Sequence, residues 1–239
     1  PAQRQQAMRK FAENVNSHPE ARQELEKWGL SLDMDIIGFE GRTLIPETMY
    51  FGKNRSASAG READWGREAT RNQAISTVDI NNWVLLYAQK DQGRSKDFLG
   101  MLQQEAPKMG IRVAMPVRGG IALPNDRSET YLAAARELTP GAQLLVCIFP
   151  TSKDDRYNAI KTYACVDAPI PSQVIISRTI GDQRKIRSVT QKIALQINCK
   201  LGGELWAVEI PPKKMMVAGL DAYQPEDLRP DGQRTPGQA

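Results

Sequence analysis

LLVCIFPTSKDDRYNAIK, residues 144–161, runs from six consecutive apolar residues through a polar turn into a helical stretch. An unbroken apolar run of that length predicts a strand buried on both faces, the condition of a parallel sheet covered by helices. Outward from it, the runs VLLYAQ (84–89), IRVAMP (111–116) and VIIS (174–177) have the same texture. They alternate with helical stretches near residues 94–109, 127–138, 154–164 and 184–199. The alternation predicts an α/β domain, Rossmann-like, with a mostly parallel sheet flanked by helices. Such sheets take ligands beyond the carboxyl ends of their strands. The loops after LLVCIF and VIIS, and the helices they feed, are therefore the first place to look for function.

The segment before this domain reads as a helical and irregular linker. In AQRQQAMRKFAENVN, Met8, Phe11 and Val15 have the spacing of one helical face. PEARQELEKWG follows, with Pro19 at a helix start and Gly29 at its end. Short strand-like runs are expected around Asp35–Phe39 and Arg42–Leu44. Residues 52–73 hold almost no large apolar side chain except Trp65, which predicts an exposed linker anchored by that ring. The polar stretch after Pro225 reads as a disordered tail. The chain begins without Met and reads as an excised piece of something longer.

Composition removes several chemistries. The chain has 239 residues and a single histidine, His18, which stands in a polar stretch at a helix start. No Ser–His or Cys–His nucleophile can be assembled around it in the core. The three cysteines, Cys147, Cys165 and Cys199, are an odd number without a CxxC pair, so neither a disulfide frame nor a zinc site is indicated, and a reducing cytosol is expected. No apolar run approaches the roughly 20 residues of a membrane span, and there is no G-x-G-x-x-G or Walker sequence to support a nucleotide-cofactor enzyme. Net charge is only +4, but between Arg178 and Lys200 six basic residues face Asp182 alone.

Tyr157 and Lys161 are four apart, on one helical face. Gln173 opens the next strand, and Lys192, Gln196 and Lys200 form an i, i+4, i+8 ladder in the last helix. A tyrosine, lysines and glutamines without a carboxylate suit a terminal phosphate followed by a base. Two ammoniums balance the roughly −1.5 to −2 charges of a phosphomonoester, and a tyrosine ring stacks on a base without strict sequence preference. Taken singly, the same residues read as well as a solvated helix face and a ring at the edge of the core.

Three separated segments decide between these readings. The YNAIK helix start, the PSQ strand start and NCKLGGELW together resemble Argonaute proteins, and STVDINNW and KKMMVAGLDAY point to the Piwi clade. The resemblance implies a linker after a PAZ domain at residues 1–77 and a MID domain at 78–203. It further implies the start of an RNase H-like PIWI domain at 204–224, before a tail at 225–239. It implies that Tyr157 stacks on the first guide base and that Lys161, Gln173, Gln196 and Lys200 hold the 5′-phosphate. The turn Pro150, Thr151, Ser152, Lys153, Asp154, Asp155 and Arg156 corresponds to the loop that reads the first base, typically uridine.

By the same resemblance a magnesium ion bridges the phosphate near Gln196, although in the family the far C-terminal carboxylate reaches that pocket and this chain ends differently. The implied partners are a 5′-phosphorylated single-stranded guide RNA, a Piwi-interacting RNA of germline transposon silencing, and the PAZ and PIWI domains of the parent chain. A monomer away from membranes is expected. Asp221 resembles the first slicer carboxylate, but one carboxylate does not organise two metal ions for cleavage, so a binding module rather than an enzyme is expected. The competing expectation is a protein-docking segment with only a basic surface for RNA, its MVAGL run exposed until the nuclease domain covers it.

Overall fold

The computed structural model describes residues 2–35, 37–210 and 214–221. Two compact units divide the chain, Pro1–Ile45 and Pro46–Ala239. In the first, α1 (Ala2–Ser17) and α2 (Pro19–Lys27) form a helical hairpin. Pro19 occupies the first turn of α2, where its missing N–H costs nothing, and Gly29 takes the positive φ that follows the helix. His18 is the N-cap residue of α2 and makes no side-chain capping bond. The apolar face read in α1 is left largely open: Met8 and Phe11 are exposed and only Ala12 is buried.

No strand forms among the described residues of 35–44. Ile37 and Phe39 are exposed there, and among the described residues no second strand receives their backbone bonds. The strands lie further on, at β1 (Thr48–Phe51) and β2 (Arg55–Ser58), an antiparallel hairpin joined on its other side by β7 (Ala207–Val208). The expected bare linker at 52–73 therefore contains β2 and a short helix, α3 (Gly66–Arg71). Trp65 is its anchor as read. Its ring meets Trp206 edge-on, with centroids 6.1 Å apart, between the small hairpin cluster and the main core.

The second unit is built on a four-stranded parallel sheet in the order β4-β3-β5-β6: β4 is Ile121–Leu123, β3 Trp83–Ala88, β5 Leu144–Phe149 and β6 Ser172–Ile176. All six residues of both β3 and β5 are buried because helices cover both faces. Trp83, Leu85, Val146 and Ile148 pack toward α4 (Gln92–Glu105) and α7 (Ile186–Lys200). Val84, Leu86, Cys147 and Phe149 pack toward α5 (Ser128–Leu138) and α6 (Asp154–Thr162). IRVAMP is not a sheet strand. It makes one isolated parallel bridge, Val113 with Ile80, before Pro116 interrupts it, and the place beside β3 goes to the three residues of β4.

Asn198 and Gly203 fasten the end of this unit. The buried Asn198 amide accepts from the Val78 N–H at 2.9 Å and donates to the Ser76 carbonyl at 3.0 Å. A Cβ on Gly203 would fall on that amide.

Candidate 5′-end binding site

α6 and α7 run antiparallel to the strands they follow, so their last turns come back to the amino end of β6. This places the lysines at the opposite end of the sheet from the loops that the strand-order rule singled out. Lys161 lies in the last turn of α6, and Lys200 is the last residue of α7. The negative end of the α7 dipole favours a cation at Lys200, whereas α6 continues past Lys161 into a π-turn, Tyr163–Asp167.

Both reach one residue. Lys161 Nζ donates to the Ser172 hydroxyl at 2.8 Å and to its carbonyl at 3.2 Å. Lys200 Nζ donates to the same carbonyl at 2.8 Å and to Gln173 Oε1 at 2.8 Å. That carbonyl is available because, among the described residues, β6 pairs only with β5 and forms the sheet edge. Gln173 is buried and held in turn by donating to the Val174 carbonyl at 3.0 Å. Among the described residues neither lysine has a salt bridge. Partial burial and the Lys161 charge hold the Lys200 ammonium below its ordinary pKa. A pair of cations meeting neutral oxygens, each raising the cost of the other, is a site short of an anion.

Tyr157 stands one turn before Lys161 with its ring exposed, and the Lys161 ammonium lies 5.7 Å from the ring centroid. The turn 150–155 is surface-lying and feeds α6. Along the helix it is about 10 Å from Lys161, the span of a nucleoside monophosphate. The Arg156 side chain departs from the rest of that turn: it is fully buried, its guanidinium 5.0 Å from the Phe149 ring centroid.

The structure thus brings Tyr157, Lys161, Gln173 and Lys200 to one place. Gln196 and Lys192 lie exposed one and two turns earlier on α7, without a hydrogen bond to that group among the described residues. The residue missed in the sequence is Ser172, which accepts from both lysines. Its only signal is its place beside Gln173 in PSQ.

For magnesium the protein supplies little. The two ammoniums repel a hard cation, and the amide and hydroxyl oxygens beside them carry no negative charge to offset that. Among the described residues no group of three or more His, Cys, Asp or Glu converges to hold a metal. These residues do not fit a protein-built metal site. Asp221 is exposed in an irregular segment, and the neighbouring Tyr223 and Gln224, with the tail read after them, lie outside the described residues.

The parallel sheet with its flanking helices is an α/β fold. A family model described as the Piwi domain matches residues 144–235. The chain is 44% identical over 230 residues to the Piwi-like protein Ago3 of Bombyx mori, a match covering 96% of this chain and 25% of that protein. It is 41% identical to the protein argonaute-3 of Drosophila melanogaster, over 93% of this chain and 26% of that one. The crystal structure of Drosophila Piwi superposes with a TM-score of 0.71 at 28% identity, covering 85% of this chain and 28% of that chain.

The chain belongs to the Piwi clade of the Argonaute proteins and corresponds to the MID domain with part of the PIWI domain. It spans about a quarter of the length of the curated relatives it matches. No helix among the described residues is long and apolar enough to cross a membrane.

Proposed function

We propose that this region holds the 5′-monophosphate and first nucleotide, a uridine by preference, of a single-stranded Piwi-interacting guide RNA in transposon silencing. The observation that carries the reading is the meeting of Lys161 and Lys200 on Ser172, with Gln173 beside them and, among the described residues, no carboxylate to neutralise them. A phosphate dianion supplies the missing charge, and each charge-assisted bond adds roughly 1.5–3 kcal/mol. Tyr157, exposed one turn away, offers its face to the first base, and the turn 150–155 meets the base edge.

Gln196 is a further donor to the phosphate. If magnesium binds, it takes its anionic ligands from the RNA. Residues 78–203 are the MID domain in this reading, between the linker and the first part of PIWI. The region cuts no RNA by itself, since Asp221 alone does not arrange two metal ions.

Fluorescence anisotropy with short RNAs bearing a 5′-monophosphate or a 5′-hydroxyl, with and without magnesium, tests the proposal. A preference for the phosphate that disappears in Lys161→Ala is expected. Equal, weak and salt-sensitive binding of both RNAs contradicts it and favours a protein-docking role. The exposure of Met216, Val217 and Leu220 speaks for that second reading.

A further inference from the structure

Arg156 is the largest charged side chain buried in the second unit, at 1% exposure. Its guanidinium lies over two rings that meet edge-on, 5.0 Å from the Phe149 centroid and 6.0 Å from that of Tyr131. Its polar contacts are few and long: Nη2 reaches the Thr151 hydroxyl at 3.5 Å, and Nη1 lies 3.9 Å from the Asp126 carboxylate. Nε and Nη1 have no hydrogen-bond partner among the described residues. A buried guanidinium with unmatched donors is costly, and an apolar side chain of the same volume would fill this position more cheaply. Packing therefore does not account for the charge. What the charge does reach is the turn 150–155 on one side and the segment leading into α5 on the other.

That segment is itself fixed. Lys90, just beyond β3, donates to Asp126 at 3.0 Å, and the Ser128 hydroxyl donates to the Asp155 carboxylate at 3.3 Å. Consecutive residues on a helix project about 100° apart, so Arg156 enters the core while Tyr157 faces the open site. The turn is thus held from beneath by the residue next to the one on which the first base would stack.

We infer that Arg156 is a positioning residue for first-base selectivity: it sets the turn 150–155 through Thr151 and Asp126 without touching the RNA. The inference rests on the proposed binding of the guide 5′ end.

The test uses the full chain and 5′-phosphorylated RNAs differing only in the first base, with a 5′-hydroxyl uridine RNA as control. Arg156→Met keeps the volume and removes the donors. It is expected to reduce the preference for uridine by about three- to tenfold, the effect of one net hydrogen bond, while the phosphate-to-hydroxyl ratio stays unchanged. Thr151→Val is expected to do the same, and the double variant no more than either single one, because the two side chains act as one unit.

If Arg156→Met does not fold, Asp126→Asn and Thr151→Val at partly or fully exposed positions carry the test, with Thr151→Ser restoring selectivity. Unchanged base preference in the folded variants overturns the inference, and so do additive losses in the double variant. A wild-type chain that prefers the phosphate but no base overturns it while leaving phosphate binding intact. A wild-type chain with no phosphate preference removes the underlying reading, and the inference falls with it.

Discussion

Replacing Lys200 by Met separates a binding role from a structural one, because the two predict opposite balances of affinity and stability. Lys161 Nζ and Lys200 Nζ stand 3.2 and 2.8 Å from one carbonyl oxygen, so they are at most about 6 Å apart. Two unit charges at that distance repel by about 0.7 kcal/mol in water and about 3 kcal/mol at an effective dielectric constant near 20. With Lys200 partly in solvent, the repulsion falls toward the lower figure. Met keeps the aliphatic stem and removes the repulsion, but it gives up the bonds to Ser172 and Gln173. Each of those contributes about 1 kcal/mol in partly solvated surroundings. The net change in stability is therefore within about 2 kcal/mol of zero. A bound phosphate, in contrast, loses a charge-assisted bond of about 1.5–3 kcal/mol, or about 10- to 150-fold in affinity. Anisotropy with 5′-phosphate and 5′-hydroxyl RNAs gives the first quantity, and urea unfolding gives the second. Equal weakening of both RNAs, or a loss of more than about 3 kcal/mol in stability with phosphate discrimination intact, refutes the argument.

Phosphate preference is expected to follow pH in two steps, measured by the same anisotropy. It rises as the 5′-phosphate takes its second charge near pH 6, and it falls in alkali as Lys200 deprotonates below its ordinary value of 10.5. The stability term has the opposite sign there: a base with a lowered folded-state pKa binds fewer protons folded than unfolded, so stability rises with pH across that alkaline window. On the far side of α7, burial pushes the Glu105 carboxyl up, but hydrogen bonds from Lys108, Gln191 and Arg187 outweigh it and leave the pKa below its ordinary 4.5. The stability this contributes is complete above pH 4.5 and lost as pH falls through the lowered value, so Glu105→Gln should flatten the acid limb of a pH–stability curve. Gly203→Ala should destabilise the chain by about 2 kcal/mol or more, because the new methyl group displaces the buried Asn198 amide from its two bonds. Thermal unfolding that matches the wild type would contradict this.

The sheet could be read in the sequence where burial on both faces left a composition signature. β3 and β5 are six apolar residues each, and no solvent-facing position breaks either run. β4 left no such mark, since three residues at a sheet edge need only one buried side chain, Leu123. IRVAMP carried the apolar mark without the strand, because Ile111 is buried in the main core and Val113 makes only one isolated bridge. The strand-like reading of Asp35–Phe39 gives no strand among the described residues for a related reason: an apolar run becomes a strand only where a neighbour accepts its backbone bonds.

The site divides along a similar line. Helical spacing shows which side chains share a face, so Tyr157 and Lys161 are legible as a pair in the sequence. Spacing does not show where a helix ends relative to a strand. The general rule for parallel sheets pointed to the carboxyl ends, whereas the lysines meet at the amino end of β6. They meet there because α6 and α7 each turn back along the sheet, and for Lys200 the end of α7 adds a dipole that favours an ammonium. Ser172 could not be found by chemistry-bearing residue type, since what it offers the lysines is partly a backbone carbonyl freed by an edge strand. Arg156 was obscured by its company: within SKDDRY a charged residue reads as solvated, and only the neighbouring rings of Phe149 and Tyr131 show that it turns inward. A site made of helix ends and an unpaired strand edge is thus legible in its charges and hidden in its floor.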